Sequence, residues 1–275
     1  MNHTDENAPA TPAPRDVPHE GDGAPAPHTP APHTPVPHAS ATEAAAHSEQ
    51  PRLDAFIFDL DGTLLHTLPD LVVITNRALR DAGYPERTEA EILSYVGNGV
   101  RALMYQAVPE GTGAEAAEAA MARWKELFPT YDNDLTHPYP HVEEMIDGLR
   151  ARGCKLGVLS NKFDEGVHQV MGKCLPGRFD VAHGECNEIP RKPNPTGLLR
   201  TIAELGSTPA RTAYVGDSPG DVRTARNAGA YAVGVTWGYH AVEDFAAEGA
   251  EPDLMVSDPL ELVALAGRAR GEGGA

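Results

Sequence analysis

The chain has 275 residues and a mass of 29.2 kDa, which suits one large domain or a domain carrying a smaller insert. Its formal charge of -18 disfavours nucleic-acid backbones and anionic membranes as partners, but not a small phosphate bound to a metal. No apolar run reaches the roughly 18 to 20 residues of a spanning helix, and no secretory leader is recognisable. We therefore expect a cytoplasmic protein whose three irregularly spaced cysteines are reduced.

The first fifty residues contain ten Pro and six His, and no Leu, Ile, Phe, Trp or Tyr. Because such a segment has too little apolar surface to form a core, we expect residues 1–52 to be a disordered tail rich in Pro, His and Ala. Scattered imidazoles on a flexible chain bind metals weakly, so a solubilising extension is the favoured interpretation. Residues 269–275 are expected to be a flexible C-terminus.

Buried strands are predicted to begin at residue 53, where an apolar and aromatic run extends over residues 53–58. Similar runs follow at 155–159, 212–215, 231–235 and 254–256, separated by amphipathic stretches or by Gly and Pro turns. This alternation predicts an α/β fold with a doubly wound, Rossmann-like parallel sheet. All strands then end at one edge of the sheet, where such folds bind their ligands.

The long segment between the first two predicted strands is expected to be mostly helical, with helices at 70–82, 89–95, 100–107 and 114–131. It is too long for a single crossover connection. We therefore expect residues 68–138 to form an inserted α-helical cap domain, which acts as a lid over the carboxyl edge of the sheet. Residues 53–67 and 139–268 are expected to form the core domain.

Two carboxylates, Asp59 and Asp61, follow the first predicted strand directly, and Gly62 and Thr63 come next. A simple strand-ending turn is the plainer interpretation, but this pattern is rare by chance. Two unit charges about 4 Å apart repel each other by about 4 kcal/mol at an effective dielectric constant of about 20. The pair therefore invites a divalent cation, and hard oxygen ligands favour Mg²⁺.

Further polar residues follow the other predicted strands. Ser160 and Asn161 are able to donate hydrogen bonds to phosphate oxygens, although the same residues are also typical of a helix N-cap. Lys192 lies in a loop framed by prolines, which would fix the direction of its ammonium. An ordinary surface lysine is the alternative interpretation. Asp217 and Asp221 are four residues apart, so one turn of helix would bring them to the same face. They are either metal ligands or acids that simply favour a helix N-terminus.

In this order, the motifs resemble the haloacid dehalogenase (HAD) superfamily of phosphatases over roughly residues 54 to 260. The helical insert is similar to that family's first type of cap. Segments 67–71 and 95–103 are similar to the phosphoglycolate phosphatase branch. Where relatives commonly carry Asp-Ser, this chain has His66 and Thr67, and the acidic loop at 184–187 is also altered.

The resemblance implies that Asp59 is the nucleophile, forming an aspartyl-phosphate, and that Asp61 is the general acid and base. It also implies that Mg²⁺ is held by the Asp59 carboxylate, the Asp61 backbone carbonyl and Asp217, with Asp221 acting directly or through water. The phosphate pocket is completed by Ser160 and Lys192, and the residues implied to contact substrate in the core are Thr63, Ser160, Asn161 and Lys192.

In the predicted cap, Gly97, Asn98 and Gly99 could present backbone N–H groups, together with Arg101, to a substrate carboxylate. A plain turn between helices is the alternative. The function expected is a magnesium-dependent phosphomonoesterase acting on 2-phosphoglycolate, as a monomer or homodimer without nucleic-acid or membrane partners. The alternatives are a phosphatase for another small ester or pyrophosphate, a β-phosphoglucomutase-like phosphomutase, and a non-catalytic binding module.

Overall fold

The structure is a computed structural model that describes residues 52–267. The expectations for the N-terminal tail and the last few residues concern parts of the chain outside this range, apart from residue 52. Within residues 52–267, no helix combines the length and the hydropathy needed to cross a bilayer.

The described chain forms eight strands. In chain order they are β1 (Ala55–Phe58), β2 (Leu65–His66), β3 (His137–Pro138), β4 (Lys155–Phe163), β5 (Val181–Glu185), β6 (Thr212–Gly216), β7 (Tyr231–Val235) and β8 (Leu254–Val256). Six of them make a parallel sheet in the order β5-β4-β1-β6-β7-β8. Because β4 and β6 flank β1 on opposite sides, the strand order reverses at β1, where a doubly wound sheet opens a crevice for ligands.

Ten α-helices accompany these strands. They are α1 (Leu68–Asp81), α2 (Glu89–Tyr95), α3 (Gly99–Ala107), α4 (Ala114–Leu127), α5 (Val142–Ala151), α6 (Asp164–Cys174), α7 (Thr196–Glu204), α8 (Pro219–Ala228), α9 (Val242–Ala247) and α10 (Glu261–Leu265). The central strand β1 is buried at every position, because its alternating side chains enter two apolar clusters, Phe56 and Phe58 on one face and Ile57 on the other. The predicted α/β fold is confirmed.

The first four helices form an insert between β2 and β3, and these two short strands pair antiparallel where the chain enters and leaves it. The observed helices begin and end within two residues of the predicted ones, except that the last predicted helix ends in a 3₁₀ turn at Phe128–Thr130. His66 and His137 face each other in this pair, with ring centroids 5.4 Å apart. The departure from relatives at residue 66 therefore lies at the junction of core and insert.

An aromatic cluster packs the insert against the sheet. Trp124 is buried in α4 and stacks on Phe128, with ring centroids 5.1 Å apart. Phe163, the last residue of β4, meets both rings edge-on, at 5.9 and 5.0 Å. Because aromatic side chains bury large apolar surfaces, this cluster holds α4 beside the carboxyl end of β4.

Candidate active site

The loop after β1 turns two carboxylates toward the crevice. The amide of Asp59 still donates to Val215 O of β6 (2.9 Å), so Asp59 leaves the sheet at its carboxyl edge. Gly62 adopts φ +86°, which favours glycine, and a Cβ at this position would lie 2.5 Å from Asp217 Oδ2. The turn thus requires a glycine, and it brings the loop after β1 against the loop after β6.

The loop after β6 supplies two more buried carboxylates. Asp217 accepts hydrogen bonds from Thr63 Oγ1 (3.1 Å) and from the amide of Tyr239 (2.8 Å). Asp221 forms a capping box with Ser218 at the start of α8, so the capping interpretation of this acid is correct. Its other oxygen faces Lys192 (2.7 Å). One carboxylate therefore both caps a helix and contributes charge to the site.

Lys192 is 9% exposed, which excludes the surface-lysine interpretation. Its Nζ lies 2.7 Å from Asp221 Oδ1 and 2.9 Å from Asp59 Oδ1. Its backbone amide donates to Asn161 Oδ1 (2.7 Å), which fixes the loop that carries it to the end of β4. Burial disfavours the charged form, but Asp221 and Asp59 outweigh this effect and raise the pKa of the Lys192 ammonium.

The same environment shifts the pKa of Asp59. Burial raises the pKa of Asp59 to about 7, with Lys192 opposing the shift and the carboxylates of Asp221 and Asp217 adding to it. Although Lys192 Nζ is at ion-pair distance, its direction does not meet hydrogen-bond geometry, and Asp59 Oδ1 has no hydrogen-bond partner among the described residues. A buried oxygen of this kind calls for a further positive group.

A metal ion fits this need. Asp59, Asp217 and Asp221 each offer an oxygen, and these three oxygens lie within 4.8 Å of one another. All three side chains are buried, and their negative charges outnumber the single ammonium of Lys192. Carboxylate oxygens are the ligands that hard divalent cations prefer. The cluster can therefore bind a divalent metal, which would also lower the pKa of Asp59.

Asp61 is held apart from this carboxylate cluster. Its Oδ1 accepts a hydrogen bond from Thr67 Oγ1 (2.7 Å), and Lys162 Nζ lies 3.1 and 3.3 Å from its two oxygens. The side chain of Asp61 is thus not part of the cluster of Asp59, Asp217 and Asp221. It nevertheless lines both of the cavities described next. The role of its backbone carbonyl as a metal ligand stays a prediction.

Two adjoining cavities lie between the sheet edge and the insert. The larger, about 410 Å³, is lined by core and insert residues that include Asp59, Lys192, Asp217, Gly97 and Asn98. The smaller, about 50 Å³, is lined by Asp61, Ser160, Lys162 and Gly99, with apolar walls from the insert. Asp59, Asp61 and Asn161 face both cavities. Most of the predicted site residues are therefore brought together.

The residues after Leu159 belong to β4, not to a helix cap. The strand continues to Phe163, which is itself the N-cap of α6, so the capping interpretation of Ser160 is wrong. Ser160 is buried against the smaller cavity, and its Oγ accepts from the amide of Lys162 (3.2 Å). Asn161 is buried as well and donates to Gly97 O (2.9 Å).

The loop at residues 97–99, which was predicted to bind a carboxylate, contacts the core through its backbone carbonyls. Besides the bond to Gly97 O, Asn98 O accepts from Arg191 (2.8 Å). Arg101 lies away from both cavities: its guanidinium pairs with Glu118 on α4 and its side chain is 57% exposed. Thr63 does not line either cavity, but its hydroxyl donates a hydrogen bond to Asp217 and so helps to fix that carboxylate. The structure does not bring Arg101 or Thr63 to the cavity surface.

Several cavity residues were not found from the sequence. Lys162 follows two predicted residues in β4, and Tyr239 and His240 lie in the loop after β7. Tyr239 OH accepts from the amides of Thr67 (2.8 Å) and Leu68 (2.9 Å), so this loop also fixes the start of the insert. Because β7 is parallel to β6 and ends at the same edge of the sheet, the residues just after β7 could also have been predicted to lie in the site.

Comparison with known proteins agrees with this geometry. The family model described as haloacid dehalogenase-like hydrolase matches residues 56–235. A phosphoglycolate phosphatase of Aquifex aeolicus is 31% identical over 210 residues, 76% of this chain and 94% of that protein. One of Vibrio cholerae is 34% identical over 209 residues, 73% of this chain and 91% of that protein. The crystal structure of a predicted phosphoglycolate phosphatase from Haemophilus somnus superposes with a TM-score of 0.71 and 26% identity, covering 78% of this chain and 98% of that one.

The chain belongs to the haloacid dehalogenase-like hydrolase family. The resemblance deduced from its motifs is thereby confirmed. Within the family it is a phosphoglycolate phosphatase-like protein.

Proposed function

We propose that this chain is a magnesium-dependent phosphomonoesterase that acts through an aspartyl-phosphate on Asp59, with 2-phosphoglycolate as its substrate. That it is an enzyme, a phosphoric monoester hydrolase, follows from its family and its phosphoglycolate phosphatase relatives. The observation that carries the proposal is the buried Asp59 carboxylate, which faces a cavity beside Lys192 and shares a cluster with Asp217 and Asp221.

The metal proposed for this cluster is Mg²⁺, because all of the donors are oxygens. Asp59, Asp217 and Asp221 would hold it through carboxylates, and Asp61 through its backbone carbonyl. When bound, it supplies positive charge that offsets the repulsion between an anionic nucleophile and an anionic phosphate.

The chain's own residues divide the reaction between two carboxylates. Asp59 attacks phosphorus in line, and Asp61 gives its proton to the leaving alkoxide. Asp61 then takes a proton from the water that attacks the aspartyl-phosphate, which frees phosphate and restores Asp59. Lys192 and Ser160 bind the phosphate oxygens, and Lys192 stabilises the charge that they carry in the transition state. The separation of Asp61 from the carboxylate cluster supports this division.

The substrate and the role of the insert are parts of the same proposal. The relatives that cover most of this chain are phosphoglycolate phosphatases, which supports 2-phosphoglycolate over larger esters. We assign residues 53–67 and 139–268 to a core that performs the chemistry and residues 68–138 to a cap that selects the substrate. The cap assignment is supported by the insert residues Gly97 and Gly99, which line the cavities above Asp59.

The test is phosphate release by the purified full-length chain, with Mg²⁺ and a panel of 2-phosphoglycolate, hexose phosphates, pyrophosphate and nucleotides. We expect kcat/KM for 2-phosphoglycolate to exceed that of every other compound by at least about tenfold, a difference of about 1.4 kcal/mol in transition-state binding. Asp59→Asn should be inactive, and a chelator should abolish activity of the wild type. Preference for another ester would refute the substrate, and an active Asp59→Asn would refute the nucleophile.

A further inference from the structure

We propose that Lys162 is the specificity-determining residue that binds the carboxylate of the substrate; this inference rests on the proposed function. The side chain of Lys162 is 6% exposed and lines the smaller cavity, whereas Lys192 lines the larger one. A buried ammonium is costly unless it is paired, so its position calls for anionic partners.

Lys162 has one carboxylate partner in the structure, and its ammonium can donate to a second anion as well. Both oxygens of a single carboxylate, that of Asp61, lie at 3.1 and 3.3 Å from Nζ. An ammonium has three N–H donors, and its remaining surroundings include the Phe128 ring, 5.8 Å from Nζ. Neither the ring nor Asp61 saturates the ammonium, so a ligand anion in the cavity can accept from it.

Other cations near the cavities are each paired with a carboxylate at 2.7 or 2.8 Å: Lys192 with Asp221, Arg191 with Glu185, and Arg223 with Glu248. Of the described residues, Lys162 is the one cation that lines the smaller cavity. Arg101, the cation expected from the sequence to bind a carboxylate, lies outside it and pairs with Glu118.

The position of Lys162 relative to Asp61 matches the shape of a short carboxylated ester. Asp61 is proposed to contact the leaving oxygen, and Lys162, which contacts Asp61, lines the smaller cavity beside it. In 2-phosphoglycolate the carboxylate is separated from the leaving oxygen by one methylene group. A substrate whose leaving oxygen meets Asp61 therefore has its carboxylate within reach of the Lys162 ammonium.

The size and the walls of the smaller cavity support the same substrate class. Its volume of about 50 Å³ has room for about four water-sized groups, which suits a methylene and a carboxylate but not a sugar ring. Leu71, Val100 and Leu103 of the insert form apolar walls. In such surroundings a pair of opposite charges attracts more strongly than in water. We infer that the site selects small phosphate esters bearing a carboxylate next to the leaving group.

The test compares 2-phosphoglycolate with 2-hydroxyethyl phosphate, in which a neutral hydroxymethyl group replaces the carboxylate. Lys162→Met should reduce kcat/KM for 2-phosphoglycolate by about 10- to 100-fold, the range of a lost charged hydrogen bond, mainly through KM. The loss of kcat/KM for 2-hydroxyethyl phosphate should be several-fold smaller, because the two substrates share only the contact of Lys162 with Asp61, and Lys162→Arg should restore the preference for the carboxylate. Lys155→Met, at the exposed start of the same strand, is the matched control and should change neither substrate.

An equal loss on both substrates, or an unchanged preference, would overturn the inference, because Lys162 would then act only by holding Asp61 or not at all. Lys162→Gln provides the same comparison if the Met variant does not fold. A wild type that hydrolyses both compounds equally well would refute the proposed substrate, and this inference with it. A wild type that prefers 2-phosphoglycolate, with parallel losses in the variant, refutes the inference alone.

Discussion

Single residues behind the site fix the carboxylates that the chemistry needs. A Cβ on Gly238 would lie 2.2 Å from Asp217 Cβ, and a Cβ on Gly216 would lie 2.3 Å from Asp221 Cγ. Neither acid can move aside freely, because Asp217 accepts from Thr63 and Asp221 takes part in the capping box. These two glycines therefore set the positions of two proposed metal ligands without contacting a ligand themselves.

Replacing Gly238 should displace Asp217 and weaken the site. We expect Gly238→Ala to lower kcat/KM by about a hundredfold, the size of effect expected when a catalytic group shifts by about an ångström. The half-saturating Mg²⁺ concentration should rise in the same variant. Steady-state kinetics over a range of Mg²⁺ concentrations measures both quantities.

Gly172→Ala is the matched control for this prediction. Gly172 lies in α6 and a Cβ there would meet nothing within 4 Å. Ala is a better helix former than Gly, so this variant should keep full activity and gain about 0.5 to 1 kcal/mol of stability. If Gly238→Ala behaved like Gly172→Ala, the proposed support of Asp217 would be wrong.

Most site residues were predictable because they lie near or just beyond the carboxyl ends of strands, at one edge of the sheet. Asp59 and Asp217 directly follow β1 and β6, Ser160 lies in the last part of β4, and the structure places all three around two adjoining cavities. Lys162 was not found, because its importance depends on the continuation of β4 beyond the predicted end at residue 159. Arg101 was predicted for the cavity but lies outside it, because Glu118, one helix further along, attracts its guanidinium.

At the scale of elements, one buried carboxylate helps to fix the junction between core and insert. Asp70 in the first turn of α1 is 3% exposed and accepts three hydrogen bonds from the returning chain. The donors are Tyr131 OH (2.8 Å), the amide of Leu135 (3.1 Å) and Thr136 Oγ1 (2.6 Å). One side chain thus ties the segment that leaves the insert to the helix that begins it.

Removing this carboxylate should destabilise the fold. Asp70→Ala leaves three donors without their acceptor, two of them on buried or partly buried side chains, and we expect a loss of about 2 to 3 kcal/mol in the free energy of unfolding. Urea unfolding followed by circular dichroism measures it. Asp134→Ala is the control from the same segment: Asp134 is 77% exposed and pairs only with Lys173 at the surface, so no measurable loss is expected. Equal losses in both variants would contradict the role given to Asp70.

Elements were predictable where the sequence pattern is strong, and were missed where pairing alone defines them. The central strands are continuous apolar runs, and β1 was found from four adjacent buried residues. The edge strand β5 is only half-buried along most of its length and carries His183 and Glu185, so it lacks such a run. β2 and β3 are two residues each and form through contacts between residues more than seventy positions apart, which no local pattern records.

At the scale of the whole molecule, the reversal of strand order at β1 explains why chemistry-bearing residues distant in sequence meet. β1 delivers Asp59, β6 delivers Asp217, and the loop before α7 carries Lys192 across the same edge. The insert contacts this edge through the carbonyls of Gly97 and Asn98, which accept hydrogen bonds from Asn161 and Arg191. This arrangement supports the proposed division into core and cap.

In the proposed mechanism, Asp59 carries the phosphoryl group during turnover. The most direct measurement mixes the full-length chain with Mg²⁺ and 2-phosphoglycolate labelled with ³²P, quenches the first turnover in acid, and locates the label by peptide mapping. We expect label on the peptide containing Asp59, released by hydroxylamine as an acyl phosphate is, and none in Asp59→Asn. Phosphate release by the wild type without protein-bound label, or label on a different residue, would contradict this mechanism.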